Sequence, residues 1–351
     1  MDRAALDHAV QRAMPVRGMD FNGWDLRGAD LSATLFEDCS FEGAALNDAD
    51  LGESQFVRCH FLRTSMNGCV AATTVFVESH IERASFRNAR FNNTSWYKCR
   101  LKDVRFDETH VDFATFSGGQ LENLIFCRAK LDKLILAGAE LGAFDFSGAR
   151  LERCVFHECD LRRAKFDAAG MVHVIFVKAR LAGLSFRGQR LEYPQFIDAD
   201  LKDCDFAESD LLQGNFTQAC LTGAKFQRAK APQALFMQAE ISGVDFTGAT
   251  LTQALFVRAR AVAACFHGAQ LYQANFAEAA LGGADLRDTE LTYADFSHAV
   301  LDGADLGGAA MFRAKLHGAR MQDTRFTDRE RALGDDPDQL ASDRWLPQAP
   351  A

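Results

Sequence analysis

An apolar residue stands at every fifth position of this chain from Phe21 to Phe326. The run takes in 62 consecutive positions, 27 of them Phe and 24 Leu, the rest being Met, Ile, Val, Ala and one Trp. Of the 30 Phe in the chain, 27 lie on this grid. A period of five matches neither the 3.6-residue helix nor the two-residue strand, so it predicts a repeat architecture. Two residues before each grid position the chain is small: 51 of those 62 positions hold Ala, Ser, Thr, Cys or Gly. The other three of each five are mostly polar or charged. One large and one small inward residue per five require a backbone that turns a corner in every repeat. The large residue fills the interior, and the small one lets the turn close against it.

The motifs Ala29-Asp30-Leu31 and Ala304-Asp305-Leu306 carry a resemblance to the pentapeptide-repeat family, which covers roughly residues 19–328. The resemblance implies an all-β fold: a right-handed quadrilateral parallel β-helix, a solenoid with coils of about 20 residues. Dividing the 62 grid positions by four sides gives about 15 coils. Leu and Phe alternate along the grid, as in Leu141, Phe146, Leu151 and Phe156, which agrees with an even number of sides. With four sides, Phe stacks on Phe and Leu on Leu, filling a narrow interior.

The ends leave the pattern. Residues 1–18 read as a helical cap, with Leu6, Val10 and Met14 on one face and a stop near Pro15 and Gly18. Residues 329–351, with Asp335, Asp336, Asp338, Trp345 and Leu346, read as a C-terminal helix or tail. Bulk at the small inward position (Val104, Leu124, Phe144, Leu184, Val244, Leu134, Val174 and Pro194) predicts altered corners there. The chain shows no secretory signal pattern and no run of 18 apolar residues, which reads as a cytoplasmic protein without a membrane span. Seven of the ten Cys (Cys39, Cys59, Cys69, Cys99, Cys154, Cys159 and Cys204) take the small inward position. There a thiol behaves as a slightly larger Ala, which suits a reducing compartment.

Assigning residues to four faces gives outward charges of −2, −3, −1 and −2, and with +1 and −2 from the two ends these recover the net −9. No face is basic, so a nucleic-acid-binding stripe is disfavoured. Two faces carry candidate partner-binding residues. The fourth, centred on Phe36 to Leu316, has an apolar row beside its centres: Val57, Val75, Val77, Ile135, Val155, Ile175, Val177, Ile197, Leu235, Met237, Leu255 and Val257. Such a row suits a partner or a second copy, though β-branched residues also simply suit extended backbone. The third face has Gln213, Gln233, Gln253 and Gln273 one coil apart, with Tyr193, Tyr272, Tyr293 and Phe312 nearby. The spacing predicts an amide ladder and, with the aromatics, a secondary docking face.

Metal and catalytic chemistry find little footing. Cys154, His157, Glu158 and Cys159 have metal-ligand types, but the register sends both Cys inward on different sides and the other two outward. His60, His80 and Arg100 stack as surface residues. No phosphate loop or catalytic triad spacing is present, and a regular solenoid offers no concave pocket. The reading is therefore no enzyme, no cofactor and no metal. The unbroken grid, helical head and irregular tail resemble the pentapeptide-repeat proteins of bacterial type VI secretion clusters. That resemblance implies a scaffold, adaptor or chaperone for an effector or spike component. Two alternatives stay open: a DNA mimic binding gyrase or topoisomerase, as the quinolone-resistance members do, and a self-associating structural rod, including a homodimer. Balanced acids and bases, and the lack of a projecting loop, weigh against the mimic.

Overall fold

The structure is a computed structural model describing residues 2–343; Trp345 and Leu346 lie outside the described residues. The chain divides into two compact units, residues 1–180 and 181–351. Both are built as a parallel β-helix, with about 16 turns in all. Backbone pairing joins residues 20 apart, as in Asp20↔Ser40↔His60 in the first unit and Asn215↔Leu235↔Leu255 in the second. A grid residue every five positions then gives each coil four sides. All 62 grid residues are buried except Leu141, Met321 and Phe326, which are half-buried.

Stacking of like on like is the rule inside. Phe36 and Phe56 lie 5.1 Å apart at 7°, and Phe236 and Phe256 4.9 Å apart at 2°. Rings on different sides meet edge to face, as do Phe226 and Phe236 at 5.8 Å and 77°. Burying each such side chain contributes roughly 1.5–3 kcal/mol before entropy.

The corner is set two residues after each grid position. From Gly18 to Asp323 that residue has positive φ throughout, Ala143 and Arg163 apart. Many are not Gly: Arg58, Glu78, Phe113, Gln238 and Tyr293 have φ between 48° and 66°. The amide of this residue donates to the coil above, as in Gly23 to the Glu42 carbonyl (2.8 Å), Glu78 to Tyr97 (2.9 Å) and Gln238 to Val257 (3.0 Å). In most corners the next amide closes a β-turn onto the grid carbonyl, as Trp24 does onto Phe21 at 3.1 Å. At several corners where that bond is missing, an inward side chain from the next coil takes the carbonyl instead. Ser79 donates to the Phe56 carbonyl at 2.9 Å, and Cys59 and Cys99 reach the Phe36 and Phe76 carbonyls at 3.4 and 3.3 Å. The inward thiols are thus donors as well as fillers. Burial pushes the Cys99, Cys154 and Cys204 thiols up to about 12, which keeps the proton in place.

The N-terminal helix spans Arg3–Gln11 and buries Leu6, Ala9 and Val10; Asp2 caps it by accepting the Ala5 amide at 2.9 Å. Met14 is not on its face. The helix stops at Gln11, Ala13 turns left-handed, and Met14 is 49 % exposed. The β-helix also starts earlier than the Phe21 grid implies, since Val16, 1 % exposed, already pairs with Phe36. At the other end Lys315 pairs with Leu333, and a short helix follows at Pro337–Asp343.

Bulky inward residues are accommodated more often than expected. Val104, Leu124, Leu134, Val174 and Val244 are buried without losing the left-handed corner before them, while Leu184 is half-buried. Phe144 is the exception. It stacks on Phe146 at 5.8 Å, the preceding Ala143 loses its positive φ, and Leu141 is partly uncovered. Nearby, three eight-residue strands replace the usual two- or three-residue ones: Arg90–Tyr97, His110–Ser117 and Lys130–Ala137, in register. Gly119 follows the second of these with φ +79; a Cβ there would sit on the Cys99 carbonyl.

Two outcomes test this account. Ala263, exposed with φ 53, is strained for an L residue. Ala263→Gly should raise stability by up to about 1 kcal/mol and Ala263→Val lower it by about 1–2 kcal/mol, read as opposite shifts of the thermal midpoint. In thiol titration of the native protein only the half-buried Cys127, Cys220 and Cys265 should react readily, with the remaining seven joining on unfolding.

Candidate interaction surfaces

The fourth face differs from the expected exposed stripe. Each of its twelve apolar residues is half-buried. In-register stacking is the cause, because the residue one coil away covers each flank: Val57 lies against Val77, and Leu235 against Leu255. Polar residues also interrupt the row. In the N-terminal unit Ser95 and Thr115 stand between Val75 and Ile135, and in the C-terminal unit Asn215 and Asn275 bracket Leu235 and Leu255. What remains is a set of small patches, such as Val155, Ile175 and Val177.

The third face of the C-terminal unit is more open. The amide ladder is present: Gln213 donates to Gln233 at 2.6 Å, Gln233 to Gln253 at 3.0 Å and Gln253 to Gln273 at 2.9 Å. All four occupy left-handed corners. Tyr293 stands one coil beyond Gln273 in the same column, and Tyr193 one coil before Gln213. Tyr272 and Tyr293 pack edge to face at 6.0 Å, Tyr293 and Phe312 at 5.9 Å. These three rings are 38, 40 and 41 % exposed, and the Arg313 and Arg331 guanidinium groups lie 6.0 and 5.5 Å from the Phe312 ring centre. The result is an exposed aromatic cluster on an amide-lined strip with few charges.

Many carboxylates elsewhere are paired with a base. Arg58 binds Asp38 and Glu37, each at 2.8 Å, and Arg17 binds Glu37 at 2.7 Å. The Arg58 guanidinium holds both carboxyls below the usual range, and Arg17 adds to this for Glu37. Arg258 binds Glu278 at 2.8 Å. His60 and His80 stack with rings 6.0 Å apart, in register with Arg100. Cys154 and Cys159 point to separate carbonyls, those of Leu131 and Leu136, with His157 and Glu158 outside.

One His cluster escaped the sequence reading. His298, His317 and Asp343 bring ligand-type atoms within 4.8 Å of one another. Asp343 accepts from His317 Nε2 at 2.8 Å and lies 3.3 Å from His298 Nε2. His317 is nearly buried, and its Nδ1 accepts the Asp336 amide at 3.2 Å. That bond fixes the tautomer: Nδ1 is bare, so Nε2 carries the proton that reaches Asp343. A metal at Nε2 would need the opposite tautomer. The cluster is therefore a hydrogen-bonded latch holding the C-terminal helix on the last coils. The 19-residue separation of the two His was its trace in the sequence, but Asp343 could not be placed without the tail.

The fold defines a non-globular repeat protein whose chemistry lies on its outer columns. Family models described as pentapeptide repeats match residues 36–116, 145–183, 199–238, 239–276, 269–308 and 289–328. The chain belongs to the pentapeptide-repeat family. Among solved structures it is similar to QnrB1, a plasmid-mediated fluoroquinolone resistance protein. Identity there is 19 %, with 68 % of this chain and 93 % of that one covered and a TM-score of 0.32. It is also similar to HetL of the cyanobacterium Nostoc, involved in heterocyst differentiation regulation, at 18 % identity, 93 % and 94 % coverage and a TM-score of 0.16. A pentapeptide repeat protein of the Arabidopsis thaliana thylakoid lumen is 34 % identical over 29 % of this chain and 72 % of that one, with a TM-score of 0.21. Nothing among curated proteins matches the chain. No helix among the described residues is long and apolar enough to cross a membrane.

The latch gives a direct test. His317→Ala should leave the coils folded, with a thermal midpoint near wild type. Limited proteolysis should then cut within Pro337–Asp343 several-fold faster.

Proposed function

We propose that this protein is a non-enzymatic protein-binding scaffold, and that the third face of its C-terminal unit is the principal docking surface. The observation that carries this is the exposed trio Tyr272, Tyr293 and Phe312, packed edge to face beside the Gln ladder. Aromatic rings ringed by hydrogen-bonding groups are the composition of interface centres. Edge-to-face packing holds the rings before a partner arrives, which lowers the ordering cost on binding.

The half-buried patches of the fourth face, Val155, Ile175 and Val177 among them, are a second contact surface, for a partner or for another copy. The partner put forward is a type VI secretion effector or spike component, a reading supported by the helical head, the unbroken grid and the latched tail. The DNA-mimic reading draws less support. A mimic needs carboxylates standing free like phosphates, and here Asp38, Glu37 and Glu278 are matched by Arg.

Affinity capture from the native host, comparing wild type with a Tyr272→Ala, Tyr293→Ala and Phe312→Ala variant, tests the proposal. A secretion component should be recovered by wild type and lost at least tenfold in the variant, with the melting curve unchanged. Equal recovery by both would move the docking surface elsewhere; recovery of gyrase subunits alone would replace the partner.

A further inference from the structure

The three long strands of the N-terminal unit form the floor of a groove of about 600 Å³ on the third face. The floor is the outer surface of these strands at Phe91, Val111 and Leu131, whose side chains are turned into the interior, Val111 being the least covered at 6 % exposed. One wall is the row Arg90, His110, Lys130 and Arg150, stacked in register one coil apart. The other wall is Asn92, Asp112, Asp132 and Glu152, also in register.

The two walls are not equivalent. On the acidic wall, Lys133 reaches Asp112 and Asp132 at 3.3 Å, and Arg153 reaches Asp132 at 2.6 Å. Lys133 and Arg153 belong to the adjoining column outside the groove, so they neutralise these carboxylates without filling it. On the basic wall, Arg90, His110 and Lys130 have no ion-pair partner among the described residues, and Arg150 approaches Glu152 only to 3.5 Å. Like charges directly opposite on neighbouring strands destabilise a sheet. Elsewhere on this protein the same problem is met by an acid one coil away, as Asp38 does for Arg58. Here three of the four bases, Arg90, His110 and Lys130, are left without such an acid.

We propose that this groove binds an extended acidic peptide segment of a protein partner, with carboxylates at every second residue facing the Arg90–Arg150 row. The dimensions agree. Four bases at a pitch of ~4.8 Å span roughly 14 Å, and residues i, i+2 and i+4 of an extended peptide span roughly 13 Å. The alternate side chains face Asn92 and the neutralised acids, where small polar groups fit. A nucleic-acid backbone, charged at every residue, would bring phosphates against the Asp112 side chain, 64 % exposed, whereas an alternating peptide places uncharged groups there.

The site lies on the N-terminal unit and does not depend on the aromatic face of the C-terminal one, so either can fail alone. The test is fluorescence polarisation of the full chain with three labelled probes at low and moderate salt: a nine-residue peptide alternating Glu and Ser, its Lys–Ser counterpart, and an oligouridylate of similar length. The Glu–Ser peptide should bind at least tenfold more tightly than either control and weaken with salt. Lys130→Glu should lower its affinity at least tenfold without lowering the melting midpoint, while Arg258→Ala, on a distant ion pair, should not. Oligouridylate binding as tightly as the acidic peptide, no preference among the probes, or an unchanged affinity in Lys130→Glu would each overturn the proposal.

Discussion

The left-handed residue at each corner is the constraint on which the rest depends. A positive φ two residues after nearly every grid position lets the chain turn in five residues and brings the Phe and Leu side chains to a common interior. An L residue in this conformation is strained by about 1–2 kcal/mol, and non-Gly residues occupy most of these corners. The strain is offset locally. The same residue's amide bonds to the coil above, as in Gln238 to Val257, so the conformation that bends the chain also aims its donor along the stack. At several corners a missing β-turn bond is replaced by a Ser, Thr or Cys from the next coil. Corner, ladder and interior are one cooperative arrangement, in which each coil depends on its neighbours.

That arrangement explains how surface chemistry is organised. With a 20-residue coil in register, every outward position belongs to a column, and its nearest neighbours are the residues 20 before and after. Four Gln in one column make a hydrogen-bonded ladder; four bases in another make a row in which only Arg150 has an ion pair. Columns also cover each other, which is why Val57 and Leu255 are half-buried although each points away from the interior. Large rings that occupy a corner or stand beside one stay exposed, as Phe113, Tyr272, Tyr293 and Phe312 do.

The interior was legible in the sequence because it is redundant: dozens of equivalent positions repeat one demand, and a single exception such as Phe144 does not obscure it. The Gln ladder was legible for the same reason. The corner rule was also written there and went unread. The position two after the grid, from Gly18 to Asp323, contains no Val, Ile, Leu or Pro, the residues least able to adopt positive φ. The start of the solenoid was misread by one repeat because Val16 looks like a linker residue until its pairing with Phe36 is known. The His317 latch and the groove depend on geometry that single residues do not announce: a tail folding back, and strands running through a corner.

The strands running through Asn92, Asp112 and Asp132 show how a uniform solenoid acquires a distinct surface without a loop or insertion. Asn93, Phe113 and Lys133 keep positive φ, so the chain still turns, yet its pairing continues through the corner. The cost falls on the outer columns, where registered neighbours are held at strand spacing over eight residues instead of three. A row of basic side chains is hardest to tolerate on such a stretch, and Arg90, His110 and Lys130 each open one of its strands, with Arg150 one coil beyond. Nothing in the repeat requires them: the equivalent column in the first coils holds Asp30 and Asp50, and in the later ones Thr250 and Gln270. Four successive bases occur in this column only here, and no structural role explains them. Their compensation is therefore to be sought in a ligand outside the fold.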